Sequence, residues 1–215
     1  MNYQYILFDL DGTLTNPHSG ITRSVAYALE KMQVPALDEV TLTSFIGPPL
    51  LESFQVICGF YEKQAHQAVA YYRERFSVTG LYENEVFPGI VELLESLKEQ
   101  ERTLALATSK PTVFAERILD HFDLAKYFDV IVGSNLDGTR TDKHEVIQEV
   151  LVQLGSPTKE AVVMIGDRKH DIIGAQKEGI ASIGVQYGFG SMEELKAEKP
   201  NVIVQTVQEL HNLFK

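Results

Sequence analysis

Residues 5–14 read Y-I-L-F-D-L-D-G-T-L, an apolar run that ends in two aspartates and a glycine. In an extended strand, residues i and i+2 point to the same side, so Asp9 and Asp11 can face one reacting centre or one metal ion. Gly12 allows the chain to turn sharply away from the strand. Aspartate and Asp-Gly are also common in ordinary turns. These residues alone therefore do not distinguish a catalytic or metal site from an ordinary turn at a strand end. The rest of the sequence is needed to distinguish them.

Three later segments repeat this arrangement of a strand-like run followed by polar residues. The runs cover residues 103–107, 129–133 and 161–165. The polar residues that follow them are, in chain order, Thr108, Ser109 and Lys110, then Asp142 and Lys143, then Asp167 and Asp171. A hydroxyl, an ammonium group and a second carboxylate pair thus accompany the first pair. We interpret Lys110 and Pro111 only as the start of a helix, because proline is typical of the first helical position.

The pattern of apolar runs predicts an α/β fold. Strands are predicted at residues 5–10, 103–108, 130–133, 162–166 and 182–185, with a possible edge strand at 202–204. Helices are predicted between them at residues 90–99, 112–121, 142–154 and 168–178. Continuous apolar strands alternating with helices are typical of a doubly wound parallel sheet with a Rossmann-like core. Ligands of such folds bind at the carboxyl ends of the strands, where all four polar segments lie.

The interval between the first two strands is too long for one crossover helix and has a helical pattern. Apolar residues recur at three-and-four spacing in two stripes: Ile21, Val25, Ala28, Leu29 and Met32, and Ala65, Ala68, Val69, Tyr72 and Phe76. We therefore predict a helical domain at residues 17–82, inserted into a core domain made of residues 1–16 and 83–215.

Composition limits the classes of partner. Nineteen basic and 30 acidic residues give a net charge of −11, which repels polyanions and argues against polymeric nucleic acid. Cys58 is the only cysteine, so no internal disulfide and no cysteine-based redox pair can form. The first residues lack a signal peptide pattern, and no apolar run approaches a membrane span. We expect a cytoplasmic protein without a membrane partner.

In order, residue type and strand context, the four polar segments resemble the four motifs of the haloacid dehalogenase superfamily of phosphohydrolases. The resemblance covers nearly the whole chain. It implies a phosphatase, and it identifies residues 17–82 as the helical cap that this superfamily inserts just after its first motif.

The residues themselves suggest how a phosphate ester would be hydrolysed. Asp9 is the candidate nucleophile, which would form an aspartyl-phosphate, and Asp11 is the candidate general acid and base. Thr108 and Ser109 would bind the phosphate through a hydroxyl and through backbone N–H groups at a helix amino terminus. Lys143 would place a fixed positive charge against the phosphate oxygens.

A phosphomonoester carries about two negative charges, so a cation must offset its repulsion by Asp9. Mg²⁺ suits this role because it prefers hard oxygen ligands. The candidate ligands are the carboxylates of Asp9 and Asp167, and a backbone carbonyl that by resemblance belongs to Asp11. Asp171 lies four residues after Asp167, where two like charges would repel each other on a helix. By resemblance, Asp171 supports the metal site directly or through its neighbours.

Within the superfamily, the resemblance narrows to the phosphoglycolate phosphatase and bacterial 5'-nucleotidase-like branch. Residues 46–50, 80–84 and 137–143 look most like the 5'-nucleotidase-like members. We therefore favour a nucleoside 5'-monophosphate as the small phosphate ester, acted on by a monomer or homodimer. By resemblance the loop containing Gly47 faces the active site, and Arg23 could reach a second anionic group of the substrate.

Three alternatives stay open. Phosphoglycolate phosphatase belongs to the same branch, and a sugar phosphomutase shares the core. A phospho-accepting signalling module of the receiver type also combines an aspartate, a hydroxyl, a lysine and Mg²⁺ on a parallel sheet. Receivers, however, phosphorylate an aspartate on a later strand, whereas this chain places its acidic pair after the first. Asp11 argues against a dehalogenase or a phosphonatase, which resemble this chain but lack the second carboxylate.

Overall fold

A computed structural model describes residues 1–215, which form two compact units. The first contains Met1–Asn16 and Val86–Lys215, and the second contains Pro17–Glu85. The sequence prediction placed the return to the first unit three residues earlier, after Tyr82. Glu83 instead belongs to the second unit, because its carbonyl accepts a hydrogen bond from Gly20 and its carboxylate pairs with two arginines of that unit.

The first unit is built on a six-stranded sheet in the order β5-β4-β1-β6-β7-β8, and every pairing in it is parallel. A separate pair of short strands, β2 and β3, lies where the chain passes between the units. The strands are β1 (Tyr5–Phe8), β2 (Thr15–Asn16), β3 (Glu85–Val86), β4 (Thr103–Pro111), β5 (Val130–Ser134), β6 (Val162–Gly166), β7 (Ala181–Val185) and β8 (Val202–Val204).

The order of the sheet decides where a ligand can bind. The chain proceeds from β1 through β4 to β5 on one side, and then through β6 and β7 to β8 on the other. The order therefore reverses at β1, and Phe8 is in register with both Leu106 and Ile165. Crevices in doubly wound sheets open at such a reversal, beyond the carboxyl ends of the strands. The predicted doubly wound α/β fold is confirmed.

The sheet forms the core because its central strands are mostly apolar and buried. Ile6, Leu7 and Phe8 of β1 are fully buried, as are all five residues of β6. Helices that cover both faces keep most strand side chains from water, which is why the central strands do not alternate in polarity.

The helices of the first unit are α5 (Ile90–Glu99), α6 (Thr112–His121), α7 (Lys143–Gln153) and α8 (Lys169–Glu178), followed by α9 (Met192–Ala197) and α10 (Val207–Asn212). The four predicted helices of this unit, α5 to α8, agree with the structure to within one residue, whereas α9 and α10 were not predicted. Single 3₁₀ turns cover Ala125–Tyr127 and Lys159–Ala161. The end of β4 differs from the prediction, because the strand continues past residue 108 to Pro111. An irregularity after Ala107 lets Pro111 pair with Ser134 of β5.

The second unit is helical, with a 3₁₀ turn at Gly80–Tyr82. Its helices are α1 (His18–Lys31), α2 (Glu39–Thr43), α3 (Leu50–Cys58) and α4 (Glu62–Phe76). Both apolar stripes predicted from sequence face its interior, and only Met32 among them is half-buried. Phe45 packs edge-on against Phe54, which extends this small core. No helix in either unit has both the length and the apolar surface that crossing a bilayer requires.

Candidate active site

The site begins where β1 ends. The backbone N–H of Asp9 donates to the carbonyl of Ile165, which continues the pairing of β1 with β6 by one residue. The chain then turns back, with Gly12 donating to the carbonyl of Thr15 and Leu14 donating to that of Leu10. Asp9 and Asp11 are buried on either side of Leu10. The i and i+2 placement predicted for the two carboxylates is thus built by a strand end and a tight turn.

Gly12 is required at this turn for two reasons. Its φ of +86° lies in the left-handed region that residues with a Cβ seldom adopt. A Cβ at this position would also overlap the carboxylate of Asp167. The turn therefore brings the backbone after β1 directly against the acid that follows β6.

Lys143 holds two of the carboxylates together. Its Nζ lies 2.9 Å from Oδ1 of Asp9 and 2.8 Å from Oδ1 of Asp171, and it donates to the carbonyl of Ala107 at 3.0 Å. Burial alone would lower the pKa of this ammonium group, but the charges of Asp171 and Asp9 outweigh it and raise the pKa. Lys143 is therefore charged at any physiological pH.

Three buried carboxylates surround one point of the site. Ligand oxygens of Asp9, Asp167 and Asp171 lie within 4.8 Å of one another. Burial raises the pKa of Asp167 well above its usual value, and the neighbouring charges of Asp171 and Asp9 raise it further. The pKa of Asp171 is also raised by burial, against the opposing charge of Lys143. Such groups are stable together only if protons or a cation compensate their charge.

The charge balance of the site fits a divalent cation. Four aspartates are buried here, Asp9, Asp11, Asp167 and Asp171, against two lysines, Lys110 and Lys143. The excess is two negative charges, and the donors are hard carboxylate and carbonyl oxygens of the kind that Mg²⁺ binds. The residues present therefore fit the metal that the sequence predicts.

Asp11 has a partner that the sequence analysis missed. Nζ of Lys110 lies 2.8 Å from Oδ2 of Asp11, and both groups are buried. Oδ1 of Asp11 is also buried and has no hydrogen-bond partner. Burial raises the pKa of Asp11, while the charge of Lys110 works against that rise. Lys110 lies two residues after Thr108, beyond the predicted end of the strand, and its contact with Asp11 joins the ends of two strands that no local pattern pairs.

Thr108, the last residue of the predicted strand, lies on β4, and so does Ser109, so the N–H groups that follow Thr108 do not lie at a helix amino terminus as predicted. Thr108 is buried, and its hydroxyl accepts a hydrogen bond from the backbone N–H of Lys110 at 3.3 Å. β4 continues to Pro111, and α6 starts at Thr112, where the sequence predicts it. The N–H groups that follow Thr108 are therefore those of an extended segment.

The two residues predicted to contact the rest of the substrate lie in the second unit. Gly47 is in the turn before α3 and has a φ of +103°. Arg23 on α1 is mostly exposed and forms an ion pair of 2.8 Å with Glu83. Their roles towards a substrate stay predictions.

Comparison with known proteins identifies the class of enzyme. The family described as "Haloacid dehalogenase-like hydrolase" matches residues 6–185, and the chain belongs to this family. Among its members it is a phosphatase, a phosphoric monoester hydrolase, and relatives that it matches over nearly its whole length include a protein named as a 5'-nucleotidase and a predicted phosphatase.

The similar proteins carry several different names. A "5'-nucleotidase" of Pseudomonas aeruginosa is 54% identical over 93% of this chain and 90% of its own length. A "Tyrosine-protein kinase PtkA" of Mycobacterium tuberculosis is 38% identical over 96% of this chain and 71% of its own. A "Phosphoglycolate phosphatase" of Vibrio parahaemolyticus is 27% identical over 95% and 93%. The crystal structure of a predicted phosphatase from Clostridium acetobutylicum superimposes with a TM-score of 0.96, at 50% identity over 100% of this chain and 99% of the other.

Proposed function

We propose that the protein is a magnesium-dependent phosphatase that hydrolyses a nucleoside 5'-monophosphate through an aspartyl-phosphate on Asp9. The observation that carries this proposal is the cluster in which Lys143 bridges Asp9 and Asp171 beside Asp167, with Asp11 two residues from Asp9. Family membership supports hydrolysis of a phosphate ester, and the identity of 54% to a 5'-nucleotidase supports the choice of substrate.

Asp9 is the nucleophile. Lys143 binds Oδ1 of Asp9, which orients the carboxylate and leaves Oδ2 for attack on phosphorus. The P–O bond to the leaving alkoxide breaks as the bond to Oδ2 forms, and water later hydrolyses the acyl phosphate to release phosphate. Two displacements of this kind have lower barriers than one direct attack by water.

The carboxylates of Asp9 and Asp167 and the backbone carbonyl of Asp11 would hold Mg²⁺, with Asp171 as a further or supporting ligand. When bound, Mg²⁺ offsets the repulsion between the substrate and the acidic cluster and stabilises charge on the phosphate oxygens. Asp171 is already engaged with Lys143, which favours the supporting role.

Asp11 is the acid and base. Burial favours its protonated form, which is the form needed to protonate the departing alkoxide. The ionised carboxylate left after that step then takes a proton from the attacking water. The oxygen that we assign to this proton transfer is Oδ1, because Lys110 occupies Oδ2.

Thr108, Ser109 and Lys143 bind the transferred phosphate in this proposal. Lys143 supplies a permanent positive charge, and Thr108 supplies a buried hydroxyl on β4, the strand next to β1. These groups contact phosphate alone, so they do not distinguish one leaving group from another. We assign that choice to residues of the second unit, with Gly47 and Arg23 as the candidates.

The alternative functions differ from the proposed one in the leaving group of the phosphate ester or in the acceptor of the phosphoryl group. A phosphoglycolate phosphatase would use the same core on a smaller ester, and a sugar phosphomutase would return the phosphoryl group to a sugar. A phospho-accepting signalling module would keep the phosphoryl group on Asp9 without turnover. Multiple turnovers that release inorganic phosphate separate hydrolysis from the last two.

The decisive experiment measures phosphate release from p-nitrophenyl phosphate and from nucleoside 5'-monophosphates, with Mg²⁺ and with excess chelator. We expect turnover only with the divalent ion. Asp9→Asn should abolish turnover while circular dichroism stays unchanged, because the variant removes the nucleophile and alters little volume. Asp120→Asn, an exposed aspartate of α6, is the matched control and should keep full activity. Full activity in chelator, or substantial turnover by Asp9→Asn, would contradict the proposed mechanism.

A further inference from the structure

A loop after β7 touches the site from a side that the chemistry above does not use. It consists of residues 187–190, Tyr-Gly-Phe-Gly. The backbone N–H of Phe189 donates to Oδ2 of Asp167 at 2.7 Å. The hydroxyl of Tyr187 donates to the carbonyl of Thr13 at 2.9 Å. One short loop thus binds both the acid that follows β6 and the turn that follows β1.

The two glycines of the loop allow this approach. A Cβ on Gly188 would lie 2.5 Å from Oδ2 of Asp167, and it would overlap the carbonyl oxygen of Gly12. A Cβ on Gly190 would overlap the carbonyl oxygen of Asp167. The obstacles are backbone atoms or a short, fully buried side chain, so they cannot move aside as the end of a long side chain could. The loop therefore lies closer to Asp167 than any other residue type would permit.

The remaining contacts of Asp167 give it little other support. Its Oδ1 receives a long hydrogen bond of 3.5 Å from the hydroxyl of Thr13. Gly12 of the turn after β1 also packs against the Asp167 carboxylate, but it makes no hydrogen bond to it that would set its rotation. The short bond from Phe189 is thus the stronger of the two hydrogen bonds that set the rotation of this carboxylate. Partners of a metal-binding carboxylate that fix its orientation commonly affect metal affinity about 10–100-fold.

We infer that residues 187–190 form a positioning segment for the metal site, which sets the rotation of the Asp167 carboxylate and fixes the Gly12–Thr13 turn against it. The segment touches no reacting atom. It acts by holding the oxygen of Asp167 and the backbone after Asp11 at one spacing, so that a cation meets donors that are already in place. This inference rests on the proposed function, because it assumes that the acidic cluster binds Mg²⁺.

The test compares Gly188→Ala with Gly184→Ala. A Cβ on Gly184, on β7 of the same connection, would lie 3.5 Å from Leu195, an ordinary van der Waals distance. Magnesium binding is measured by isothermal titration calorimetry without substrate, and folding by circular dichroism. We expect Gly188→Ala to weaken Mg²⁺ binding by about tenfold or more. Gly184→Ala should bind Mg²⁺ within about twofold of the unchanged protein, a difference of about 0.4 kcal/mol.

A second pair of variants keeps the test valid if Gly188→Ala does not fold. Tyr187→Phe removes only the tyrosine hydroxyl, which donates to the carbonyl of Thr13. It keeps the ring, which packs edge-on against Phe87. Tyr127→Phe is its control, because it removes a hydroxyl that binds Glu95 away from the site. We expect Tyr187→Phe to weaken Mg²⁺ binding and to raise the Mg²⁺ concentration needed for half-maximal rate, while kcat at saturating Mg²⁺ is largely retained.

The outcomes separate this inference from the proposed function. If the unchanged protein shows neither Mg²⁺ binding nor Mg²⁺-dependent hydrolysis, the proposed function fails. If it shows both, but folded Gly188→Ala and Tyr187→Phe bind Mg²⁺ as tightly as their controls, the positioning role is overturned. A loss of kcat without any change in Mg²⁺ affinity would also overturn it.

Discussion

Asp11 and Lys110 form an ion pair in which opposing effects act on one proton. Burial raises the pKa of Asp11, and the Lys110 charge at 2.8 Å is the largest effect that lowers it. The general acid must be protonated to begin the reaction and ionised to complete it. In the proposed mechanism, a lysine that moderates the effect of burial therefore allows one carboxyl group to perform both steps.

Lys110→Met should raise the pKa of Asp11 further, because it removes that opposing charge. The protonated form then persists to higher pH, so the fall of kcat/KM on the alkaline side should move to higher pH. The measurement is a pH profile of kcat/KM with an alkyl phosphate, whose poor leaving group needs the acid. Lys126→Met, which removes an exposed ion pair with Asp123, is the control. A shift of the alkaline limb to lower pH would contradict the assignment of Asp11.

Asp167→Asn should stabilise the metal-free protein at neutral pH. The pKa of Asp167 in the folded state is raised, chiefly by burial and next by its acidic neighbours. A carboxyl group with a raised pKa stabilises the fold at pH values below its unfolded pKa of 3.8, and that contribution is lost as the pH rises towards the folded value. An amide carries no charge and can still accept the bond from Phe189.

The stability of this variant is measured by thermal unfolding in chelator at pH 4 and pH 7. We expect a Tm above that of the unchanged protein at pH 7 and a much smaller difference at pH 4. Magnesium binding should be lost at the same time. Asp120→Asn, an exposed carboxylate, should change neither quantity. A lower Tm for Asp167→Asn at pH 7 would contradict this prediction. It would show that neighbouring groups stabilise the charged Asp167 carboxylate in the metal-free protein.

At the scale of secondary structure, α7 and α8 position the lysine and the last aspartate of the site together. Lys143 is the first residue of α7, and Asp171 lies in the first turn of α8, where its Oδ2 accepts from the backbone N–H of Arg168. The two helices pack closely because α8 has a glycine, Gly174, opposite the stem of Lys143. Helix packing therefore determines how far the ammonium group reaches.

Gly174→Ala tests that packing. Alanine normally stabilises a helix interior by about 1 kcal/mol relative to glycine. Here its Cβ would lie 2.9 Å from Cγ of Lys143, which cannot move freely because its Nζ is bound at both carboxylates. We expect stability to change little and kcat to fall several-fold, as Lys143 is displaced from Asp9. The comparison is with Gly184→Ala, where space for the methyl group exists. An unchanged kcat in Gly174→Ala would mean that Lys143 adjusts without cost.

At the scale of the whole molecule, the chain separates a sheet unit that carries the acidic site from a helical unit that lacks it. The net charge of −11 disfavours large polyanions and is compatible with a small phosphate ester held by a metal. This division predicts that changes in the sheet unit lower the rate for all esters, whereas changes in the helical unit alter their ranking.

The ranking is tested by kcat/KM for nucleoside 5'-monophosphates, 2-phosphoglycolate and sugar phosphates. We expect the nucleotides to lead, and Arg23→Ala in the helical unit to change the order. Lys143→Met should lower kcat/KM for all esters together. In the proposed mechanism, the phosphate is the only part of the substrate that Lys143 contacts. If phosphoglycolate leads by more than about tenfold, equivalent to about 1.4 kcal/mol of transition-state binding, the nucleotide is the wrong substrate.

The sequence by itself determined the sheet, the helices that cover it and the positions of Asp9, Thr108, Lys143 and Asp167. These features depend on local pattern, since a buried parallel strand must be apolar throughout and polar residues at its end mark the ligand-binding edge. Family motifs then supplied the candidate chemistry. The strand boundaries were less accurate, because the extension of β4 to Pro111 depends on pairing with Ser134 of another strand.

Only the tertiary structure decided which charges meet. The bond between Lys110 and Asp11 and the contact of residues 187–190 with Asp167 join segments far apart in the chain. Glu83 likewise belongs to the helical unit because Arg23 and Arg75 bind it there. No local periodicity encodes such contacts, since they arise from the order of strands in the sheet and the space that glycines leave between them.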